Sequence, residues 1–258
     1  MAEHLRVERD GPVLRLTLDK PGRMNAVDAS MVGAATAELE ALGDPTAEGA
    51  VRVVVVTGAG ESFSAGADLQ VTVGQDPEAT MDGAHRLIRA VVAAPVPVVA
   101  RVNGPAAGFG ASLALACDLT YAVTSAYLLQ AFVHVGLMPD GGASALLAAS
   151  VGRARANEMI LLGERIPAPV AAEAGLVAAA YPTVEELDAR VQAAVTSLLA
   201  ASPTALARTK AALNAHALAG LDAALDREKD GQVVLLAGED FRRRAEALTS
   251  RGRGGSPG

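Results

Sequence analysis

The sequence predicts an α/β protein with a largely parallel sheet, followed by a helical C-terminal segment. Three observations carry that expectation. Residues 51–56 and 96–102 are apolar on both strand faces, helix-patterned stretches separate the strand-like ones, and β signal all but disappears after Thr183. Strands covered by helices on both sides read as near-continuous apolar runs, and strand–helix alternation marks the α/β class.

Taken in order, Val13-Leu14-Arg15-Leu16-Thr17-Leu18 alternates in polarity around Arg15 and Thr17, as a half-exposed strand does. Residues 28–42 place apolar side chains at helical spacing. Val51-Arg52-Val53-Val54-Val55-Val56 is nearly all β-branched and ends at Thr57-Gly58-Ala59-Gly60. A second buried strand, Val96-Pro97-Val98-Val99-Ala100-Arg101-Val102, is entered through Pro95 and left through Asn103-Gly104-Pro105. Residues 110–117 read as a helix and 119–123 as a strand. Four helical stretches follow at 183–200, 203–217, 221–236 and 240–248, the first opened by a capping-box pattern, Thr183-Val184-Glu185-Glu186. The expected division is an α/β core over 1–182 that carries the site, a helical region over 183–250, and a mobile Gly/Arg-rich tail over 251–258.

Composition narrows the function classes. Over 258 residues, 51% hydrophobic and 20% charged residues exclude a disordered chain. Aromatics are 3% and Trp is absent, so the core rests on Ala, Val and Leu. The single Cys117 excludes an internal disulfide and a Cys-rich zinc site. The charged start, Met1-Ala2-Glu3-His4-Leu5-Arg6, lacks a signal peptide's apolar stretch, and no uncharged apolar run reaches the roughly 18 residues of a membrane span. A net charge of −7 argues against general nucleic-acid binding. The expectation is a soluble cytoplasmic protein without membrane, nucleic-acid or metal partners.

Gly58-Ala59-Gly60 follows a buried strand, but a Rossmann fingerprint would need its third glycine where Phe63 stands, and no P-loop pattern occurs. Two other segments say more: Phe63-Ser64-Ala65-Gly66-Ala67-Asp68-Leu69 and Asn103-Gly104-Pro105-Ala106-Ala107-Gly108-Phe109-Gly110-Ala111. Each follows a buried strand and puts small residues before a helix start, where backbone N–H groups lack partners. Either turn alone is explained by tight packing. Together, two such turns on neighbouring strands could aim two N–H groups at one oxygen, as an oxyanion hole does.

At this point the sequence resembles the crotonase (enoyl-CoA hydratase/isomerase) superfamily. The resemblance is carried by Pro21-Gly22-Arg23-Met24-Asn25-Ala26, by residues 54–69, and by residues 103–110. It continues through Ala116-Cys117-Asp118-Leu119, Gly136-Leu137-Met138-Pro139-Asp140-Gly141-Gly142, and Ala172, Ala174, Gly175, Leu176 and Val177. It implies a spiral of ββα units with a C-terminal helical trimerisation region, forming a trimer or two stacked trimers. It also implies an acyl-CoA thioester held in an oxyanion hole, with coenzyme A as part of the substrate and no separate cofactor. The implied hole donors are the N–H groups of Ala67 and Phe109. Arg23, Asn25 and Ala26 would border the CoA moiety. Ala65, Gly66, Asp68, Leu69, Gly108, Ser112, Phe132 and Met138 would border the substrate.

The hydratase branch of that family uses two glutamates, and the matching positions here hold Ser112 and Phe132. One carboxylate remains, Asp140. By itself Pro-Asp-Gly-Gly is ordinary turn chemistry with Asp as an N-cap. In the resembling isomerase branch, an acid at this position shuttles a proton, so the expected activity is an enoyl-CoA double-bond shift with Asp140 as base. The alternatives are hydratase-like activity, a thioester hydrolase using Ser112, His134 and Asp140, and a non-catalytic acyl-CoA binder. Asp68 and Asp118 are expected to be structural, Cys117 a small core residue, and His134 a core or pocket residue on a strand. His85 is a candidate pocket residue within a mobile loop over 71–85. Lys210 and Arg242, Arg243, Arg244, Arg251 and Arg253 are candidate contacts for the CoA phosphates. The identity of the acyl group (fatty, aromatic or terpenoid) stays open.

Overall fold

The computed structural model describes residues 3–253, with the backbone path alone for Gln70 and residues 248–253. The strands are β1 (Leu5–Asp10), β2 (Val13–Leu18), β3 (Val53–Gly58), β4 (Val98–Val102), β5 (Ala106–Ala107), β6 (Leu119–Val123), β7 (Tyr127–Leu129), β8 (Arg165–Pro167) and β9 (Ala179–Tyr181). The helices are α1 (Ala29–Glu40), α2 (Leu69–Thr72), α3 (Pro77–Ala93), α4 (Phe109–Ala116), α5 (Ala143–Leu162), α6 (Ala168–Ala174), α7 (Val184–Ala200), α8 (Pro203–Ala217), α9 (Leu221–Leu236) and α10 (Glu239–Arg253).

The larger sheet runs β1-β2-β3-β4-β6-β9 and the smaller β5-β7-β8. β1 and β2 pair antiparallel; from β2 to β9 every neighbour in the larger sheet is parallel. Val53, Val54 and Val55 are wholly buried, as a strand covered on both faces requires. α7 packs on β3, β4, β6 and β9, while α1 and α3 pack on each other. Helix starts follow local chemistry: the Asp28, Thr183 and Ser202 side chains accept the N–H groups of Met31, Glu186 and Ala205.

The architecture is the expected α/β one, a largely parallel sheet followed by C-terminal helices, and three local expectations change. Residues 71–85 are not a loop throughout, because α3 begins at Pro77, capped by Asp76 with Pro at its first position. His134 lies in a 3-10 turn, Ala131–Val135, instead of a strand. α10 continues past residue 248 to Arg253, so the first three residues of the expected tail are helical; residues 254–258 lie outside the described residues. Among the described residues no helix is long and apolar enough to cross a membrane.

Candidate active site

The two glycine-bearing turns meet. Val27 donates to the carbonyl of Gly66 and accepts from the N–H of Asp68, both at 2.8 Å. In that parallel bridge the N–H of Ala67, between the two bonded positions, points away from Val27. Phe109 opens α4 after Gly108, so its N–H is one of the four that a helix start leaves without an internal partner. Neither N–H takes part in a hydrogen bond among the described residues. Gly66 allows the approach: its φ is +89°, and a Cβ there would stand 2.7 Å from the Ala107 carbonyl oxygen and 3.3 Å from the Phe109 nitrogen.

Ala67, Phe109 and Asp140 line one cavity of about 330 Å³. Its walls come from α1, α2 and α3, including Val32, Thr36, Thr72, Thr80 and Ala84. The hydroxyls of Thr36, Thr72 and Thr80 donate to the carbonyls of Val32, Asp68 and Asp76, each four residues earlier. Back-bonded in this way, threonines offer mainly methyl groups to what they face.

Asp140 sits between the 3-10 turn and α5. The Ser112 hydroxyl donates to its backbone carbonyl at 2.8 Å, which ties the turn to α4. The side chain is buried; Oδ2 accepts from Gln232 Nε2 at 3.1 Å, and Oδ1 has no partner within the protein. Burial pushes its pKa up to about 7, opposed by the Gln232 hydrogen bond and reinforced by the Glu228 charge. Glu228, itself buried, accepts from the Gly142 N–H at 2.7 Å and from the Ser144 N–H and hydroxyl at 2.9 and 2.5 Å. Burial raises its pKa as well. Sequence reasoning missed both α9 residues; the only local trace is one acid and one amide four apart on a helix.

Other expected site residues fall in different places. Asn25 is wholly buried, donating to the carbonyls of Ala59 and Ser62 and accepting from the Lys20 N–H, so its side chain braces the loop and cannot meet CoA. Ala26 is buried and Ala65 exposed, its N–H donating to the Met24 carbonyl. Arg23 and Lys20 both pair with buried Asp68 at 3.0 Å, clamping the 20–26 loop to the turn that carries Ala67. Those cations hold the Asp68 carboxyl below its ordinary pKa against the opposing effect of burial. Leu69 and Phe132 belong to an apolar cluster with Leu137 and Phe241, and Phe132 also lies over Gly108. Ser112 is fully buried. Met138 faces α9, where its sulfur occupies the space beside Gly231. Ser112, Phe132 and Met138 are thus outside the cavity lining.

Further candidates resolve by contact. His134 is exposed and its Nε2 lies 3.1 Å from the Gly163 carbonyl; with Ser112 on the Asp140 carbonyl, these residues do not form a hydrolase triad. His85 is buried outside the cavity lining, its Nε2 without a partner, and burial lowers its pKa to about 4. Asp118 accepts from the Val98 N–H and pairs with Lys210, a structural brace. Lys210 is itself buried and also donates to the carbonyls of Val91 and Val96, so it does not reach out to phosphate. Cys117 is buried and its thiol pKa is raised, which makes it inert. Arg242 donates to the Ala237 carbonyl, and Arg243 and Arg244 pair with Asp240. The side chains of Arg251 and Arg253 lie outside the described residues.

Comparison with known proteins decides the family. The profile described as Enoyl-CoA hydratase/isomerase matches residues 8–251. The chain belongs to this family. A probable enoyl-CoA hydratase of Rhodobacter capsulatus is 38% identical over 239 residues, covering 92% of this chain and 91% of that protein. A 1,2-epoxyphenylacetyl-CoA isomerase of Escherichia coli is 35% identical over 248 residues, covering 93% and 92%. The crystal structure of an enoyl-CoA hydratase from Mycobacterium avium subsp. paratuberculosis K-10 superposes with a TM-score of 0.90 at 43% identity and covers 97% of each chain. Hydratase names outnumber isomerase names among such relatives. This member of the enoyl-CoA hydratase/isomerase family is therefore an acyl-CoA enzyme, whatever the reaction.

Proposed function

We propose that the protein moves the double bond of an enoyl-CoA. The observation that carries the reading is the placement of one buried carboxylate, Asp140, on the same cavity as the Ala67 and Phe109 turns. Two amides receiving the thioester oxygen make the adjacent C–H acidic and hold the enolate that follows; each such donor is worth about 10²–10³ in rate. Asp140 takes the proton at one carbon and returns it two carbons away. Its pKa of about 7 suits a group that must both accept and release a proton near neutrality. The back-bonded threonines and Val32 make part of the wall apolar, while Asp28, Gln75 and Arg86 also border it, so the lining does not fix the acyl group. Hydration, which the relatives' names suggest, lacks support at Ser112, a buried hydroxyl on the Asp140 carbonyl, and at Phe132, an apolar cluster member.

The test is a panel of enoyl-CoAs in D₂O, reading deuterium uptake, double-bond position and water addition. Isomerised, deuterated product is expected from the parent, and Asp140→Asn should lower both readouts by about 10²–10⁴-fold while still binding the CoA ester. Hydrated product at comparable rate, or an Asp140→Asn variant as fast as the parent, overturns the proposal.

A further inference from the structure

We infer that Gln232 is a positioning residue for the proton shuttle: its amide fixes Asp140 Oδ2 and leaves Oδ1 as the oxygen that exchanges protons with substrate. The inference rests on Asp140 acting as base. Gln232 is 1% exposed and bonded at both ends. Its Oε1 accepts the Met138 N–H at 3.2 Å, and its Nε2 donates to Asp140 Oδ2 at 3.1 Å. The Met138 N–H requires an acceptor, which fixes the amide's orientation and leaves only the NH₂ for Asp140. A carboxylate oxygen that already receives a donor is the poorer place for a proton, so the acidic hydrogen resides on Oδ1, which is shielded from bulk water and unpartnered.

One helical turn earlier on α9, Glu228 grips the same turn through Gly142 and Ser144. The two residues act on Asp140 in opposite senses: the Gln232 donor stabilises its anion, and the Glu228 charge opposes it. The other groups around Asp140 leave that balance undisturbed. From α4 come the Ser112 hydroxyl, on its carbonyl, and the Phe109 ring. Across the cavity, Asp28 is paired with Lys20 and Arg86 with Glu40.

The experiment is the pH profile of kcat for isomerisation in Gln232→Met, Gln232→Glu and Glu228→Gln, with thermal unfolding as the check on folding. The parent's acid limb is expected near pH 7. Gln232→Met should move the limb up by about one pH unit, a tenfold slower rate on the acid side. Gln232→Glu should move it further in the same direction, and Glu228→Gln should move it down, with KM changed less than kcat throughout. A merely structural role would scale activity and leave the limb in place. Folded Gln232 variants with the parent's limb overturn this inference alone, provided Asp140→Asn still abolishes exchange. If Asp140→Asn keeps exchange, the reading of Asp140 as base falls first.

Discussion

In the α/β core the proposed site groups are two main-chain amides, held where two turns pack against each other, and one carboxylate, Asp140. The C-terminal helices contribute buried polar side chains that reach back across the chain, those of α9 to the Asp140 turn and that of Lys210 to a brace away from it. Ala67 and Phe109 need only small neighbours and a helix start. Lys210 on α8 and Glu228 and Gln232 on α9 meet partners at Val91, Gly142 and Asp140, far away in sequence. Backbone donors of this kind tolerate changes in side-chain identity but not in backbone path. The side-chain group depends on every partner being present, because a buried polar atom left alone costs about 1–3 kcal/mol.

A large expected effect on rate tests the first half of that contrast. Gly66→Ala puts a Cβ 2.7 Å from the Ala107 carbonyl at a φ of +89°, so the turns must part and the proposed pairing of the Ala67 and Phe109 amides on one oxygen is broken. Isomerisation should fall by about 10²–10³-fold, the usual result of losing an oxyanion donor. Phe109→Ala, which keeps the N–H, should cost much less per molecule of folded protein. Steady-state rates of the two variants, set against their thermal stabilities, check the contrast. Equal losses would mean that the Phe109 ring matters as much as its amide.

The same contrast explains what could be read from the chain. The strand over 119–123 and the helices at 203–217 and 221–236 agree with the structure to the residue, since apolar periodicity and Ser202-Pro203 capping are local signals. The small-residue turns at 63–69 and 103–111, which do pack against each other, were legible for the same reason. Glu228 was not: in Asp226-Arg227-Glu228-Lys229-Asp230 it looks like its solvated neighbours, and only Gly142 and Ser144, more than 80 residues away, single it out. The start of α3 was obscured by Gly74, Asp76 and Pro77, a loop-like composition in which Asp-Pro-Glu is in fact a helix cap. His134 sat in an alternating Val-His-Val pattern that a three-residue window cannot tell from a 3-10 turn.

A smaller effect, on stability, tests the helical half. Lys210 Nζ makes contacts of 2.9, 3.1 and 2.8 Å with Val91, Val96 and Asp118. Lys210→Met keeps the length of the side chain but leaves two carbonyls and a mostly buried carboxylate without their cation. The expected loss is about 3 kcal/mol, measured by urea unfolding. Adding Asp118→Asn should recover part of it, and the double-mutant cycle isolates the pair. A loss below about 0.5 kcal/mol would mean that the Lys210 contacts do not hold α8, leaving apolar packing and the Asn214–Val92 hydrogen bond.

A second stability effect has the opposite sign. Asp140 carries a folded pKa of about 7 against an ordinary 3.8, so between those values the native state binds more protons than the unfolded chain. The Asp140 contribution to stability should therefore fall as pH rises from about 4 to 7 and level off above, opposed over much of that window by buried His85, whose folded pKa of about 4 makes its own contribution rise with pH. Burial raises Glu228 and Asp118 too, which adds to the same slope, whereas Asp28 and Asp68, both lowered, act only below their ordinary value. Asp140→Asn removes one contributor. At pH 8 it should unfold at a higher temperature than the parent, by the equivalent of up to about 4 kcal/mol, with the gain shrinking towards pH 5. Melting curves of the two proteins from pH 5 to 8 measure this directly. A variant that gains stability while losing isomerisation would mean that the carboxylate is kept in its apolar pocket for chemistry. A flat difference across that range would mean that water reaches Asp140 and that the α9 grip does not isolate it.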